Sequence, residues 1–432
     1  MTVVLRAARL LIDSSSELIE DGLVIINDGR ITKAGSFRTL NGLVTISQGI
    51  RDLGNVTLMP GLFDCHVHIT LDPSKVNTTT ASSSLTDKET TALMISNCSK
   101  LLDAGITTAR DLGSKGLLGV KIRDLINAGS LFGPRLQVAH APITVPGGHA
   151  HAMGGVAQGI EGVRVEVRKR ANEGADLIKV MSTGGFMTAG SHPSQARYTV
   201  KELEAIKDEA VKFGMKVTTH ATGTQGIARA VDARLDSIEH CAWINGQNTK
   251  FEESVAKKIV EYEIAVCPTM NTACVEHSYF CPWDSRQAIV SNLTSLRQAG
   301  VKMIVGTDAG IPLCHFERYA DGLTVLADAG YTNREIIASA TDIAASVCGL
   351  SSETGKLHSG MAADLVGFEG NPLEDIHAFS KPVFVMARGK EHKLTPIAPV
   401  ADGAMATAKE IAERLRKGAG LPAQFTDTSI SV

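Results

Sequence analysis

The pattern of apolar and polar residues changes twice along this 432-residue chain. Both ends carry short apolar runs of strand length between turn residues, and Asp28-Gly29 favours a hairpin near the start. The strands predicted in these two regions cover residues 2–11, 22–27, 30–35, 44–53, 363–368 and 382–388. We therefore expect residues 1–55 and 356–400 to form one small β-sandwich domain.

Between the two ends, short continuous apolar runs alternate with longer charged segments of helical length. The runs that we predict as strands cover residues 58–68, 107–112, 135–140, 177–181, 216–220, 237–240, 265–268 and 303–307. Continuously apolar strands are typical of a parallel sheet that is buried on both faces. This alternation predicts the α/β fold class, and the number of strands favours a (β/α)8 TIM barrel over residues 56–355.

Other segments carry local signals. Helices are predicted at 162–174 and 199–213. The second of these begins with Thr199 and Glu202, which have the spacing of a capping box. The Thr- and Ser-rich stretch 77–86 is predicted to be a loop, and the last segment, 401–432, to hold a helix at 404–417 and a tail.

Composition and charge exclude several classes of protein. Hydrophobic residues make up 44% and charged residues 21%, which argues against disorder and allows a large core. The formal net charge is −3, so nothing favours binding to nucleic acid or to an anionic membrane. No apolar run approaches the ~18 residues of a membrane span. The start of the chain also lacks a signal-peptide pattern, so we expect a cytoplasmic protein.

The eight cysteines are too few for a disulfide scaffold and contain no CxxC pair. We expect reduced, mostly buried thiols. Cys267, Cys274 and Cys281 recur every seven residues with His277 among them, so a metal site there stays open as an alternative.

Polar side chains stand where the predicted barrel strands end. His66 and His68 are two residues apart on the first of these strands, so both imidazoles face one side. Later strand ends carry Lys179, His220, His240 and Asp308. Because barrel active sites form at the carboxyl ends of strands, the six side chains should meet at one mouth. Imidazole and carboxylate groups together suit a divalent ion such as zinc.

Lys179 is unusual in such a set. An ammonium group beside metal ions is unfavourable, and buried lysines tend to lose their charge. If carbon dioxide adds to the neutral amine, the product is an anionic carbamate that could bridge two ions. The alternative is that Lys179 pairs with Asp176 or with a substrate anion.

The segments PGLFDCHVH, LIKVM, VTTHATG, SIEHC and VGTDAG resemble those of the metal-dependent amidohydrolase superfamily. The resemblance extends through nearly the whole chain. It is greatest to the branch of imidazolonepropionase-like prolidases (Xaa-Pro dipeptidases) and N-acyl-amino-acid hydrolases, which includes ochratoxin-hydrolysing amidases. It implies two divalent ions: His66, His68 and Asp308 would bind the more buried one, His220 and His240 the second, and carboxylated Lys179 both.

The resemblance also implies a reaction. Two ions would lower the pKa of a bridging water and polarise the scissile carbonyl. Asp308 would take the proton of the water and pass it to the leaving nitrogen, which makes Asp308 and Lys179 the predicted catalytic residues. The substrate would be an N-acyl amino acid or a dipeptide, with ochratoxin-type amides included.

Two alternatives remain at this stage. One is hydrolysis of a cyclic amide, or a deamination, on the same ions. The other, from a different class, is a barrel that only binds ligands. Similar proteins form large assemblies, so a homo-oligomer is expected by analogy.

The glycine-rich loop 145–155 follows the third barrel strand. In the resembled branch, a histidine from this loop holds the carbonyl or carboxylate of the substrate. His149 is the predicted contact and His151 the alternative. His140 ends the same strand and either faces the mouth or is a buried core histidine.

Tyr198 and Arg197 follow the fourth strand. In relatives, a tyrosine near this position contacts the substrate carboxylate, and Arg197 could form a bidentate clamp instead. We therefore expect a small-molecule substrate with a free carboxylate. Thr222 stands where many relatives have a second histidine, which leaves the substrate of any one relative in doubt for this chain.

Overall fold

The computed structural model describes residues 2–44, 49–75, 84–114, 116–246, 248–275 and 285–397, together with Glu413 and Lys417. The strands are β1 (Thr2–Leu10), β2 (Ile19–Asn27), β3 (Arg30–Ser36), β4 (Arg51–Asp52), β5 (Val56–Pro60), β6 (Leu62–Val67), β7 (Ile106–Asp111), β8 (Arg135–Val138), β9 (Leu177–Met181), β10 (Lys216–Gly223), β11 (Ser237–Asn245), β12 (Asn248–Thr249), β13 (Ala265–Cys267), β14 (Leu365–Glu369), β15 (Pro382–Ala387) and β16 (Lys390–Glu391). The α-helices are α1 (Phe37–Leu40), α2 (Asp87–Asp103), α3 (Leu118–Asn127), α4 (Gly159–Asn172), α5 (Val200–Val211), α6 (Thr224–Asp232), α7 (Glu253–Glu261), α8 (Arg286–Gln298), α9 (Tyr319–Asp328), α10 (Asn333–Ala340) and α11 (Asp342–Val347).

The two ends of the chain meet in one eight-stranded mixed sheet. Its order is β16-β15-β14-β5-β1-β2-β3, and β4 also pairs with β1. Its apolar side chains, among them Leu5, Val24, Leu365 and Phe384, form one buried cluster. The apolar runs at the two ends of the sequence therefore pack against each other.

The middle of the chain forms parallel sheets. One contains β6, β7 and β8, and the other contains β9, β10, β11 and β13, with β12 as an antiparallel addition to β11. Helices follow most of these strands, so the architecture is mixed α/β as the apolar pattern predicts. Because the strands run in parallel, their carboxyl ends lie on the same side and bring distant polar residues together.

The predicted strand 58–68 is in fact two strands. Β5 belongs to the eight-stranded sheet and β6 begins the parallel one, with Gly61 between them. A Cβ atom at Gly61 would lie 2.1 Å from the Thr107 hydroxyl oxygen, so a side chain would obstruct this change of sheet. Pro60-Gly61 stands at the break and is a turn signal that the prediction of one continuous strand did not use.

The predicted strand 303–307 is reduced to one bridge, between Met303 and Val266. The amide of Val305 donates to the Ser339 carbonyl, and the amide of Thr307 donates to the Asp64 carboxylate. These two hydrogen bonds take the place of those that a regular strand would form with its neighbours.

The helix predictions agree more closely. Α4 and α5 lie within one to three residues of the predicted bounds, and Thr199 and Glu202 form the predicted capping box. No helix in the described part of the chain is both long and apolar enough to cross a membrane. Three predictions lie wholly or mostly outside the described residues. They are the loop 77–86, the helix 404–417 within segment 401–432, and the alternative metal site with Cys281 and His277.

Candidate metal centre

The six residues predicted as a group line one cavity at the carboxyl ends of the parallel strands. The cavity encloses about 1270 Å³, counting the part that is open to solvent. The six residues are His66 on β6 and His68 just after it, Lys179 on β9, His220 on β10, His240 on β11, and Asp308. The imidazole ring centres lie 5.3 Å apart for His66 and His68, and 4.5 Å apart for His220 and His240.

Each of the four imidazoles is anchored through one ring nitrogen. The anchoring contacts are His66 Nδ1 to Glu239 Oε2 (2.8 Å), His68 Nδ1 to the Gly113 carbonyl (3.1 Å), His240 Nδ1 to Thr269 Oγ1 (2.8 Å) and His220 Nε2 to the Gly184 carbonyl (2.9 Å). A carbonyl or carboxylate accepts only from a protonated nitrogen. Thr269 donates its own proton to the Pro268 carbonyl, so it also accepts. In the neutral ring, the opposite nitrogen therefore keeps a lone pair, as a metal ligand requires.

Asp308 faces these lone pairs. Its Oδ1 lies 3.3 Å from His66 Nε2 and 3.0 Å from His68 Nε2, and the ligand atoms of the three residues lie within 4.8 Å of one another. This oxygen is buried. Two imidazole nitrogens that face one carboxylate oxygen at these distances need a positive charge between them, which a proton supplies when no metal ion is bound and a divalent cation would supply in its place.

The charge state of Asp308 agrees with this. Burial alone would raise its pKa, but a positive charge on His66 and a hydrogen bond from His68 lower the pKa well below its ordinary value. The group is therefore ionised at neutral pH.

The backbone of Asp308 is left-handed, with φ of 62°, and His240 and Thr269 are also left-handed, with φ of 71° and 58°. Such conformations are costly for residues other than glycine and concentrate at functional sites.

Lys179 is 2% exposed, and burial lowers its pKa to about 8 although Glu239 and Asp308 oppose this shift. Within the described ranges, no carboxylate lies at ion-pair distance from its ammonium group. Asp176 instead receives Arg123 and the amide of Val138, both at 2.8 Å, so the sequence alternative of a pair with Lys179 is wrong. A buried ammonium without a partner is unfavourable, whereas a neutral amine or its carbamate fits this position.

His149 is the loop histidine that reaches the cavity. Its ring lies 4.7 Å from that of His220, and its Nδ1 is buried without a hydrogen-bond partner in the described part of the chain. Burial lowers its pKa to about 4, so the ring is neutral at pH 7. Gly185 allows this approach, because a Cβ there would lie 2.6 Å from His149 Nε2.

Four other predicted substrate contacts lie away from the cavity wall. His151 contacts the Gly148 carbonyl at 2.9 Å, Arg197 the Gln195 side chain at 2.9 Å, and His140 lies 3.5 Å from Glu173. Tyr198 is buried in an apolar cluster, where its hydroxyl donates to the Ala157 carbonyl at 2.8 Å. In this structure His151, Arg197, His140 and Tyr198 therefore do not line the cavity, and His140 takes its second predicted role, that of a buried core histidine.

The rest of the cavity wall is largely apolar. Its apolar side chains include Leu71, Met153, Met181, Phe186, Met187, Met270, Ile289, Leu293 and Ile311. Thr222 also lines the cavity, but its hydroxyl donates to the Pro193 carbonyl at 2.7 Å. Flexible methionines and one phenylalanine suit a bulky apolar ligand.

Sequence reasoning missed Glu239, Arg110 and Asp64. Glu239 anchors His66, Arg110 donates to Glu239 at 2.9 Å, and Asp64 accepts from the amides of His66 and Thr307. Their positions in the sequence could have indicated them, because each is a charged residue in a predicted strand. Glu239 directly precedes His240, Asp64 lies two residues before His66, and Arg110 is on the strand next to that of His66.

A cluster of imidazoles with a lysine and an aspartate, at the ends of parallel strands, is the site of a metal-dependent hydrolase. The profile of the amidohydrolase family matches residues 57–392, and the chain belongs to this family. It is an enzyme that hydrolyses amide bonds. Members of the family generally use divalent metal ions, and His66, His68 and Asp308 form a candidate site.

Similar proteins place the chain within the family. Ochratoxinase from Aspergillus niger is 28% identical over 426 residues, covering 90% of this chain and 85% of the relative. A structure of a Xaa-Pro dipeptidase with bound methionine is 27% identical, with a TM-score of 0.78 and coverage of 91% and 100%. A prolidase complexed with N-methylphosphonate-L-proline is 26% identical, with a TM-score of 0.76 and the same coverage. The predicted prolidase and ochratoxinase branch is confirmed, and the fold neighbours are of the TIM-barrel type.

Proposed function

We propose that this enzyme is a binuclear metal-dependent hydrolase that cleaves the amide bond of N-acyl amino acids and dipeptides. One observation carries the proposal: four imidazoles with free lone pairs, a buried lysine and an ionised aspartate line the same cavity. We assign His66, His68 and Asp308 to the more buried ion, His220 and His240 to the second, and a carbamate on Lys179 to both. Zinc is our first choice because imidazole and carboxylate ligands suit it.

The bound ions would supply Lewis acidity, which polarises the amide carbonyl and makes water a better nucleophile at neutral pH. Asp308 accepts the proton of the attacking water and passes it to the leaving nitrogen, so that a carboxylate and an amine are released. Its depressed pKa makes it a weak base, and its efficiency comes from position. His149, neutral and unpartnered at Nδ1, hydrogen bonds to the substrate beside the scissile bond.

We propose that the substrate carries a free carboxylate beside the scissile amide and a bulky apolar group. The apolar wall around Phe186, Met187 and Ile289 supports the second feature. The first is supported by similarity to structures that hold methionine and a proline derivative. His149 is the proposed contact for this end of the substrate, in place of Tyr198 and Arg197. Ochratoxin-type amides, which combine both features, belong to the proposed range.

The test begins with metal analysis of the purified protein, followed by assays on N-acyl amino acids and dipeptides. We expect two divalent ions per chain and hydrolysis of the free acid at about ten to a hundred times the efficiency of its C-terminal amide. His149→Asn should weaken this preference. His151→Asn, two residues further along the loop and off the cavity wall, is the matched control.

Other outcomes would contradict the proposal. A protein without bound metal and without activity would favour a binding module. Equal turnover of the blocked substrate and the free acid would favour the cyclic-amide or deaminase reaction on the same ions.

We also propose that the parallel strands close into an eight-stranded barrel, over residues 56–355, beside a β-sandwich of residues 1–55 and 356–400. Three parallel bridges between the sheets support closure: Ile143 with Val180, Val266 with Met303, and Val67 with Ala309. By analogy with similar enzymes, we propose a homo-oligomer.

A further inference from the structure

A buried carboxylate, Glu239, lies beside the candidate metal centre and has no part in the reaction proposed above. Its Oε2 lies 2.8 Å from His66 Nδ1. Its Oε1 accepts hydrogen bonds from Arg110 Nη2, at 2.9 Å, and from the Thr218 hydroxyl. Glu239 is 0% exposed, and Arg110 and His66 are 4% and 1% exposed, so the network is closed to solvent.

His66 differs from the other three imidazoles in its anchor. The other anchors are neutral oxygens, namely two backbone carbonyls and the Thr269 hydroxyl. A carboxylate accepts a stronger hydrogen bond than a neutral oxygen does. It also increases the electron density on the opposite ring nitrogen, which strengthens that nitrogen as a ligand. Of the four rings, His66 is therefore the one whose strength as a metal ligand, through Nε2, depends most on the side chain that anchors it.

Arg110 provides the positive charge that faces Glu239 in this position. A buried carboxylate without a cation is strongly unfavourable. Arg110 supplies the charge through Nη2, and its Nε donates to the Cys65 carbonyl at 2.7 Å, which fixes the direction of the guanidinium group. Since Arg110 and Thr218 both use Oε1, the other oxygen of Glu239 remains for His66.

We propose that Glu239 is a positioning residue, paired with Arg110, that fixes the Nδ1-protonated tautomer of His66 and thereby sets the affinity of the more buried ion. This inference rests on the metal centre of the proposed function. It adds a structural reason why the two ions would differ in affinity, because His220 and His240 have neutral anchors.

Another use of Glu239 is conceivable from distances alone. His66, Glu239 and Cys267 also offer ligand atoms that lie within 4.8 Å of one another. An ion there would lie close to the guanidinium of Arg110 and would compete with three hydrogen bonds to Glu239. Charge repulsion and occupied lone pairs therefore favour the positioning role over direct ligation.

The test measures metal affinity without substrate, by competition with a chelator, in the wild type and in Glu239→Gln. Glutamine keeps the volume but removes the charge. We expect one of the two ions to bind about 10- to 100-fold more weakly. At saturating metal, kcat and KM should return towards their wild-type values, because Glu239 does not touch the substrate. A purely structural role would lower thermal stability without this recovery.

Glu239→Gln leaves Arg110 without its partner, so the double variant Glu239→Gln/Arg110→Met provides a second test if the single variant does not fold. It removes both charges and should show the same loss of affinity. Ser182→Ala is the matched control, because the buried Ser182 hydroxyl contacts the Thr219 hydroxyl at 2.6 Å on the neighbouring strand rather than Glu239 or His66. Its metal affinity should match the wild type.

Two results would overturn the inference. One is unchanged affinity for both ions in the folded Glu239 variants. The other is a thiolate charge-transfer band in the cobalt-substituted wild type that disappears in Cys267→Ser, which would make Glu239 and Cys267 ligands. If the wild type itself binds no divalent ion, the proposed function fails as well, so the two failures are distinguishable.

Discussion

Replacement of Tyr198 by phenylalanine separates the structural role of this residue from the substrate contact expected of it. The change removes one hydroxyl group and leaves the ring in place. In the structure, that hydroxyl is buried and donates to the Ala157 carbonyl at 2.8 Å. We therefore expect a loss of stability without a change in KM.

The magnitude follows from the contact that is lost. A buried hydrogen bond contributes about 0.5–1.5 kcal/mol, and leaving its acceptor unsatisfied costs about 1–3 kcal/mol. The free energy of unfolding should therefore fall by about 1–3 kcal/mol, which is a factor of about 5 to 150 in the unfolding constant. The measurement is the guanidinium chloride midpoint at constant slope m.

Two other tyrosines provide matched controls. The Tyr319 hydroxyl is also buried and donates to the Phe63 carbonyl at 2.8 Å, so Tyr319→Phe should cost a similar amount. The Tyr331 hydroxyl is buried without a hydrogen-bond partner among the described residues, so Tyr331→Phe should be neutral or stabilising. A tenfold or larger rise in KM for Tyr198→Phe, with unchanged stability, would refute this reasoning and restore the substrate contact.

Three further predictions concern the site. Asp308→Asn should retain part of the bound metal, measured by elemental analysis, while kcat falls about a hundredfold or more, and unchanged turnover would place the base elsewhere. Lys179→Ala should lose metal and activity, with partial rescue by a short carboxylic acid. Because burial lowers the Lys179 pKa to about 8, reactivation of decarboxylated wild type at a fixed concentration of dissolved CO2 should rise with pH up to about 8 and then level off. Gly185→Ala should displace His149 and raise KM, since its Cβ would lie 2.6 Å from the ring; an unchanged KM would contradict this role.

The sequence predicted the elements whose signals are local. The run 177–181 was predicted as a strand and forms one with the same bounds. All five of its residues are buried, which a strand inside a sheet allows and a helix with one exposed face does not. Residues in the carboxyl-terminal parts of such strands, including Lys179 and His220, could be assigned to one mouth because parallel strands share a carboxyl edge.

The parts that were missed depend on tertiary geometry. Adjacent residues on a regular strand face opposite sides, so Glu239 and His240 should not both reach the site. The left-handed backbone at His240, with φ of 71°, breaks this rule. Tyr198 was misplaced for a related reason, since the direction of a loop side chain depends on where the loop packs. The pattern of residue types does not encode either feature.

The eight-stranded sheet has a consequence for how the enzyme is made. Β14, which is synthesised near the end of the chain, pairs with β5, as in the register of Leu365 with Pro60. Contacts between residues so far apart in sequence are slow to form, because a long loop must close first. While the ribosome is still adding the last strands, β5 has an exposed edge, and β5 leads directly into the strand that carries His66. A nascent chain that stalls before β14 would therefore expose an unpaired strand edge next to the strand that carries His66, so we expect a stable site only once β14 has been synthesised.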